Sequence, residues 1–221
     1  MRTNLIIAVS LLCSTALLGL SGVNFAPSLS SEVEVSPKAS PVDPPLRRNG
    51  QRDFISRSEA NLLAARKLVP NGTKSLLAVP AGMRHGDFVW NEDGTPKGEI
   101  AIWVDLRRQM ISAFRNGHEI GTAVIVYGAE KHTSPEGRFP ILNKRRHYHS
   151  RTYDAPMPAS LFITNDGVAL HGSPMSSRRA SHGCIGLPVA FAEKLFDASE
   201  VGDIVEITRS VPTKGDLPHP T

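Results

Sequence analysis

Two histidines and one cysteine stand close together in the stretch HGSPMSSRRASHGCIGLP, residues 171–188. Cys184 follows His182 by two residues, and His171 lies eleven residues before His182. A cysteine thiol has a pKa of about 8.5, so only a small fraction is thiolate near neutral pH unless an imidazole takes the proton. The spacing therefore predicts a nucleophilic thiol at Cys184, with His171 or His182 as its base.

A glycine follows each histidine directly, at Gly172 and Gly183. Glycine permits close approach of the backbone, so amide N–H groups in this stretch are suited to stabilising an oxyanion. The nearest carboxylates, Asp166 and Glu193, lie outside the stretch. We therefore expect a backbone carbonyl to fix the tautomer of His171.

Two other interpretations of this stretch remain open. Cys184 could be a small buried apolar residue without a chemical role. Zinc is the second alternative, and its candidate ligands are His171, His182, Cys184, His132, His147 and His149. The chain has no C-x-x-C or H-x-x-x-H pair, which makes a metal site the weaker interpretation, and we predict no cofactor.

The first 23 residues have the form of an export signal. Arg2 precedes an apolar run from residue 5 to residue 20, and this order is typical of secretory signals. That run is marginal for a helix that must span about 30 Å of hydrocarbon, so a retained membrane anchor is the alternative to cleavage. With Cys13 in the signal, Cys184 is the only cysteine of the exported body. Exported proteins usually pair their cysteines in disulfides, which favours a working thiol here.

Residues 24–52 are predicted to form a disordered tether, because they contain five prolines and little apolar surface to bury. The rest of the chain is enough for one domain. We expect a short helical lead-in at 53–86, the catalytic domain at 87–210 and a C-terminal tail at 211–221. The net charge of +4 suits an anionic envelope, and no clustered basic and aromatic residues indicate nucleic-acid binding.

The elements before the motif are mostly strands. Ser56 and Glu59 fit a capping box that opens a helix at about 57–68. From residue 99 the apolar residues alternate in EIAIWVDL, as in a strand with one buried face. The Asn116-Gly117 pair then predicts a hairpin between the next two strands.

The elements around the motif complete the predicted fold. The stretch 132–159 is basic and rich in turn formers, so we predict a long functional or mobile loop. SLFIT and VALHG are the next two strands, Pro188 begins a helix, and DIVEITR is the closing strand. The pattern predicts a mainly β, sandwich-like domain with a short helix after the cysteine.

The order H-G, loop, S-H-G-C resembles the L,D-transpeptidase catalytic domain family (YkuD-type). Other blocks resemble the same family in the same order, and together they cover about residues 88–209. These blocks are IWVDLRRQMISAFRNGHEIGTAVIVYG, HTSPEGRF, APMPASLFITNDGVALHG and LPVAFAEKLFDASEVGDIVEI. The number of blocks makes the resemblance more specific than the S-H-G-C tetrapeptide alone.

The resemblance implies a cysteine acyltransferase that acts on peptidoglycan stem peptides in the bacterial periplasm or cell envelope. Cys184 would attack the diamino-acid carbonyl of a stem tetrapeptide and release D-alanine, with His171 as the base and the Gly172 carbonyl orienting it. The thioacyl-enzyme would pass to an amine of a neighbouring stem, to an envelope protein, or to water in an L,D-carboxypeptidase side activity. The residues expected to shape the loop and the oxyanion site are Ser181, His182 and Gly183.

One position departs from the family pattern. Many members carry an arginine two residues after the cysteine, where this chain has Gly186. Glycine cannot supply the charge or the donors of a guanidinium. Arg178 and Arg179 could contact the substrate in its place or could be solvated loop charges, and Met157 is a further candidate contact. The departure leaves a second interpretation, a peptidoglycan-binding domain without turnover, and in either case the membrane would be contacted only through the N-terminal segment.

Overall fold

The computed structural model describes residues 47–49, 52–80, 82–128, 133–175 and 183–212. The predicted signal and nearly all of the predicted C-terminal tail lie outside these ranges. Neither helix in the described ranges is long and apolar enough to cross a bilayer.

Fifteen strands and two helices make up the described ranges. The strands are β1 Arg47–Asn49, β2 Arg52–Phe54, β3 Ser75–Leu77, β4 Phe88–Trp90, β5 Ile100–Asp105, β6 Met110–Arg115, β7 His118–Val124, β8 Gly137–Pro140, β9 Asn143–Arg145, β10 His149–Ser150, β11 Ala155–Pro156, β12 Ser160–Phe162, β13 Ala169–Gly172, β14 Ile185–Leu187 and β15 Ile204–Thr208. The helices are α1 Arg57–Ala65 and α2 Val189–Ala198. The prediction of a mainly β domain with a short helix after Cys184 is confirmed.

The strands form a main sheet, a smaller sheet and a short hairpin. The main sheet has the order β1-β2-β3-β7-β6-β5-β15-β8, with β4 also paired to β7. Its β3–β7 and β15–β5 pairs are parallel and its other pairs are antiparallel. The smaller sheet has the order β14-β13-β12-β9, and its β13–β14 pair is parallel. The strands β10 and β11 pair only with each other.

The β6–β7 hairpin turns where the sequence predicts it. Asn116 and Gly117 have φ angles of 52° and 81°, and positive φ at both central residues is what a type I′ turn requires. In β5, Ile100, Ile102 and Val104 are all buried in one apolar cluster, as the alternation predicts. The local sequence therefore determines this part of the main sheet.

The largest buried apolar cluster joins the two sheets and α2. The main sheet contributes side chains such as Ile102 and Ile207, the smaller sheet contributes Leu170 and Ile185, and α2 contributes Phe191. The two sheets therefore share one core, which fits the sandwich-like prediction. Because β13 and β14 belong to this core, their other face carries the residues of the motif.

Helix α1 belongs to the outer face of the main sheet. The Ser56 Oγ accepts a hydrogen bond of 3.1 Å from the N–H of Glu59, so the predicted N-cap is present. The helix ends at Ala65, three residues earlier than predicted. Lys67 adopts a φ of 57°, and the N–H of Leu68 bonds to the carbonyl of Leu63, which is the hydrogen bond of a Schellman ending.

Three strands between residues 47 and 77 are part of the main sheet. Strands β1 and β2 lie in and beside the predicted tether, and β3 lies in the predicted helical lead-in. Arg52 is buried, and its guanidinium donates to the carbonyls of Glu119 and Asn91 and to the Ser75 Oγ. Hydrogen bonds from one arginine hold this region in place, and apolar periodicity does not reveal them.

The prediction of a long loop at 132–159 is wrong in part, because the short strands β8, β9, β10 and β11 lie there. Pairing continues between the short strands: the N–H of Met157 bonds to the Tyr148 carbonyl and the N–H of Ala159 to the Arg146 carbonyl, both at 2.8 Å. The charged side chains of this stretch are mostly exposed, so its sequence does not show the alternation of apolar and polar residues that predicts a strand. We call residues 143–162 the long hairpin.

Lys144 joins the long hairpin to α2, and its replacement by methionine should destabilise the domain. Its Nζ donates to the Phe196 carbonyl at 2.6 Å and to the Ser199 carbonyl, and it lies 4.4 Å from the centroid of the Phe196 ring. Losing these charged hydrogen bonds should cost about 1–3 kcal/mol, measured by urea unfolding. The matched control is Lys194→Met on the exposed face of α2, which should change stability by less than about 0.5 kcal/mol. Equal effects of the two changes would contradict a helix-capping role for Lys144.

Candidate active site

His171 lies in β13, and its imidazole is buried and oriented by the backbone. The Nδ1 atom lies 2.9 Å from the carbonyl oxygen of Gly172. An N–H at Nδ1 must donate this bond, so Nε2 carries the lone pair that can accept a proton. Burial lowers the pKa of His171 and the bond to Gly172 partly opposes the effect, which leaves the pKa below its ordinary value. The imidazole is therefore neutral at neutral pH and available as a base.

Gly172 holds its carbonyl in place through close packing. Its N–H donates to the carbonyl of Pro158 at 2.8 Å. A Cβ at this position would lie 3.0 Å from the Pro158 Cγ and 3.3 Å from the Val189 Cα. There is little room for a side chain between the long hairpin and the start of α2, and this explains the glycine after His171.

The parallel pairing of β13 and β14 places Cys184 near His171. Leu170 pairs with Ile185 and His171 pairs with Gly186. Cys184 directly precedes Ile185 and is level with Ala169, so its side chain lies on the same face as that of His171, two residues away along the strand direction. The Cys184 side chain is partly exposed. A thiol and an imidazole therefore share one face at the strand ends.

The thiol of Cys184 is protonated in the resting protein. Burial raises its pKa, Asp166 raises it further by repelling the thiolate, and a backbone hydrogen bond from Ala169 acts in the opposite direction. The Sγ lies 3.7 Å from the Gly167 carbonyl, which can accept a weak S–H bond. The resting site therefore holds a neutral thiol and a neutral imidazole rather than a thiolate–imidazolium pair.

Gly183, directly before Cys184, has a φ of 100°. Residues with a side chain rarely adopt this conformation, so glycine is required where the chain enters β14. The other predicted loop residues, which are Ser181, His182, Arg178 and Arg179, lie outside the described residues. Their predicted roles stay predictions.

At Gly186 the neighbouring residues leave no room for a side chain. Its N–H donates to the Val126 carbonyl at 2.7 Å, and its carbonyl accepts from the Val126 N–H at 3.0 Å. A Cβ at this position would lie 2.6 Å from the Val126 Cγ2 and 3.0 Å from the Ser173 Cβ. Where the family resemblance leads one to expect an arginine, this chain therefore has a neutral wall formed by Val126 and Ser173.

Gly186→Ala should destabilise the domain, because the new methyl group would overlap Val126. The expected cost is about 1–3 kcal/mol in urea unfolding, as for overpacking in other cores. Adding Val126→Ala to the same chain should recover part of that loss, although Val126→Ala alone is destabilising. If Gly186→Ala were as stable as the starting protein, Val126 and Ser173 would have to move aside at little cost, and the proposed steric conflict would be wrong.

A pocket of about 340 Å³ lies on the long hairpin, lined by His147, Tyr148, His149, Pro156 and Pro158. It adjoins the motif at two points. Pro158 contacts Gly172, and the Tyr148 ring lies 5.1 Å from the ring of Phe162, which pairs with Ala169 beside Cys184.

Sequence reasoning identified this region but not its lining. The side chain of Met157, predicted to contact substrate, is buried and does not line the pocket. Tyr148, Pro156 and Pro158 were missed; an aromatic residue between two histidines was the available signal. Among the described residues, no three His, Cys, Asp or Glu side chains are grouped so as to hold a metal ion.

Comparison with known proteins agrees with the motif. L,D-transpeptidase 1 of Mycobacterium tuberculosis is 29% identical over 133 residues, which covers 52% of this chain and 53% of that protein. The chain thus spans about half the length of the curated relatives it matches. A crystal structure of that enzyme is 27% identical with a TM-score of 0.43, covering 50% of this chain and 62% of the other.

A second solved structure, an L,D-transpeptidase from Stackebrandtia nassauensis, is 24% identical with a TM-score of 0.47, covering 52% of this chain and 58% of the other. The family model of the L,D-transpeptidase catalytic domain, YkuD, matches residues 99–207. That match includes β5 to β14, His171 and Cys184. Residues 99–207 of this chain are therefore similar to the YkuD family of L,D-transpeptidase catalytic domains.

Proposed function

We propose that this chain is an exported L,D-transpeptidase that uses Cys184 as its nucleophile and His171 as its base. The observation that carries the proposal is the parallel β13–β14 pair, which puts the thiol and the imidazole on one face. The Nδ1–Gly172 bond leaves Nε2 of His171 to receive the thiol proton.

The first half-reaction forms a thioester. The Cys184 sulfur attacks the carbonyl on the L-centre of the diamino acid in a stem tetrapeptide while its proton passes to Nε2 of His171. Amides near Gly183 and Cys184 stabilise the oxyanion of the tetrahedral intermediate. When the C–N bond breaks, His171 returns the proton to the amine of D-alanine, which leaves. The protein then holds a thioacyl group on Cys184 and a neutral His171.

The protonation states of the resting site favour this sequence. A neutral thiol and a neutral imidazole need no buried charge before substrate arrives. The proton moves only as the sulfur attacks, so charge develops where backbone donors can stabilise it. General base catalysis of this kind accelerates a reaction by about 10²–10⁴-fold.

The second half-reaction passes the acyl group to an amine or to water. An amine of a neighbouring stem gives a cross-link, a lysine of an envelope protein gives an anchored protein, and water gives a carboxypeptidase reaction. The pocket on the long hairpin, with Tyr148 and Pro158, would hold the stem peptide beside Cys184. Export through the N-terminal segment would bring the domain to its substrate in the periplasm or cell envelope.

Mass spectrometry of the intact protein tests this proposal. After incubation with a disaccharide tetrapeptide, we expect a mass increase on Cys184 that equals the donor minus D-alanine, with free D-alanine in equal amount. Binding of the tetrapeptide without any adduct or D-alanine would contradict the proposal. That result would favour a peptidoglycan-binding domain, the alternative suggested by Gly186 in place of arginine.

A further inference from the structure

The turn between β12 and β13 lies against the nucleophile. The Gly167 carbonyl is the atom 3.7 Å from the Cys184 Sγ. The turn is held by its own hydrogen bonds: the Gly167 N–H and the Val168 N–H donate to the carbonyl and to the Oγ1 of Thr164, at 3.4 Å and 2.9 Å. The Thr164 hydroxyl also donates to the Asp166 carboxylate. Asp166 directly precedes Gly167, whose carbonyl lies against the sulfur, and the bond from Thr164 holds the Asp166 carboxylate in place.

The Asp166 carboxylate is exposed, and within the described ranges it makes no ion pair. Its negative charge repels a thiolate at Cys184 and helps to raise the thiol pKa. A carboxylate in this position works against the nucleophile as long as it has no positive partner. A bound cation would remove that repulsion.

The turn that carries Asp166 lies at the start of β13, and the pocket on the long hairpin reaches the other end of that strand through Pro158. The turn precedes Ala169, whereas Gly172, at the other end of the strand, contacts Pro158 of the pocket. A donor peptide held at the Gly172 end of the strand would not cover the Asp166 carboxylate, whose side chain is exposed and could meet a second substrate. The second substrate of a transpeptidase is an amine, which is an ammonium ion at neutral pH.

We propose that Asp166 binds the ammonium group of the amine acceptor and positions it next to the thioester on Cys184. The inference rests on the proposed function and names the substrate class that this side of the site takes. The docked ammonium loses one proton to solvent and attacks the thioester as the neutral amine. Its second proton passes through Nε2 of His171 to the departing sulfur, so one amide forms, one thioester breaks and the thiol is restored.

An alkylation experiment tests the docking without any turnover. The rate at which iodoacetamide alkylates Cys184 is measured against pH for the starting protein, for Asp166→Asn and for the control Glu193→Gln, which removes an exposed carboxylate from α2. We expect the profile of Asp166→Asn to move to lower pH and that of Glu193→Gln to stay. Added 1,5-diaminopentane should move the profile of the starting protein to lower pH but not that of Asp166→Asn. A diamine-induced shift that survives in Asp166→Asn would overturn the proposal.

A transfer experiment tests the acceptor role. The thioacyl-enzyme is offered 1,5-diaminopentane, which is cationic, or hydroxylamine, which is neutral at pH 7.5, and hydrolysis is followed in parallel. Asp166→Asn should raise the KM for the diamine about fivefold, as expected for one exposed ion pair, and leave the ratio of hydroxylamine transfer to hydrolysis unchanged, because a lower thiol pKa affects both of these reactions alike. Equal losses with both acceptors would mean that the change distorts the turn, and the proposal fails. Absence of any thioacyl-enzyme in the starting protein would instead refute the proposed function, while the alkylation profiles still report on Asp166.

Discussion

Cys184→Ala is expected to abolish both the thioacyl adduct and the release of D-alanine. Alanine removes the only nucleophilic atom at this position, and the resulting loss should reach the detection limit of the assay. The side chain is small and partly exposed, so the free energy of unfolding should change by only about 1 kcal/mol or less. Mass spectrometry with the disaccharide tetrapeptide and urea unfolding measure the two effects on the same sample.

Cys184→Ser is the matched control for shape. Serine keeps nearly the same volume but offers a much weaker nucleophile, so it should fold normally and form no adduct at a measurable rate. The interpretation of Cys184 as a buried apolar residue makes the opposite prediction. It would be supported by strong destabilisation in Cys184→Ala together with an inactive starting protein.

His171→Gln should lower the rate of acylation by about 10²–10⁴-fold, because glutamine cannot accept the thiol proton. The matched control is His118→Gln. His118 also has a pKa lowered by burial, and its Nδ1 lies 2.8 Å from the Ser75 Oγ, but it belongs to β7 and takes no part in the motif. We expect His118→Gln to keep the acylation rate of the starting protein. Equal losses of acylation in the two variants would point to a general effect of removing a partly buried histidine.

The pH dependence of acylation separates a catalytic imidazole from a structural one. His171 must be neutral to act as a base, and its pKa lies below the ordinary value of about 6.5. The rate of D-alanine release should therefore hold as the pH falls to 6.5 and decline only at lower pH, as His171 takes up a proton. This acid limb should disappear in His171→Gln. An acid limb that persists unchanged there would assign the titration to another group.

The elements that sequence patterns predicted well are those whose structure is set locally. The β6–β7 hairpin follows from Asn116-Gly117, and α2 follows from Pro188 and the apolar residues after it. The lead-in strands depend instead on Arg52 and the distant carbonyl of Glu119, and the strands of the long hairpin carry exposed charges on an edge. Contacts of this kind connect residues far apart in the chain, and no local pattern reveals them.

In the candidate site, too, the features set by neighbouring residues were predicted from the sequence, and those set by distant contacts were not. The H-G pair at His171 and Gly172 led to the expectation of a backbone carbonyl on the imidazole, and the structure shows that hydrogen bond. The reason for Gly186 could not be found from the sequence, because Val126 fills the space from a segment 60 residues away. The raised pKa of Cys184 likewise depends on how deeply the fold buries the sulfur.

The packing on the outer face of the main sheet determines where a stable recombinant fragment of this protein can begin. Val69, Trp103 and Phe114 pack together there beneath residues of α1 and the turn that follows it. A recombinant fragment trimmed to residues 99–207 would keep Trp103 and Phe114 but lose the segment that covers them, and an apolar patch of this kind promotes aggregation. Fragments for expression and crystallisation should therefore start no later than Arg52, well upstream of residue 99, where the family model begins to match.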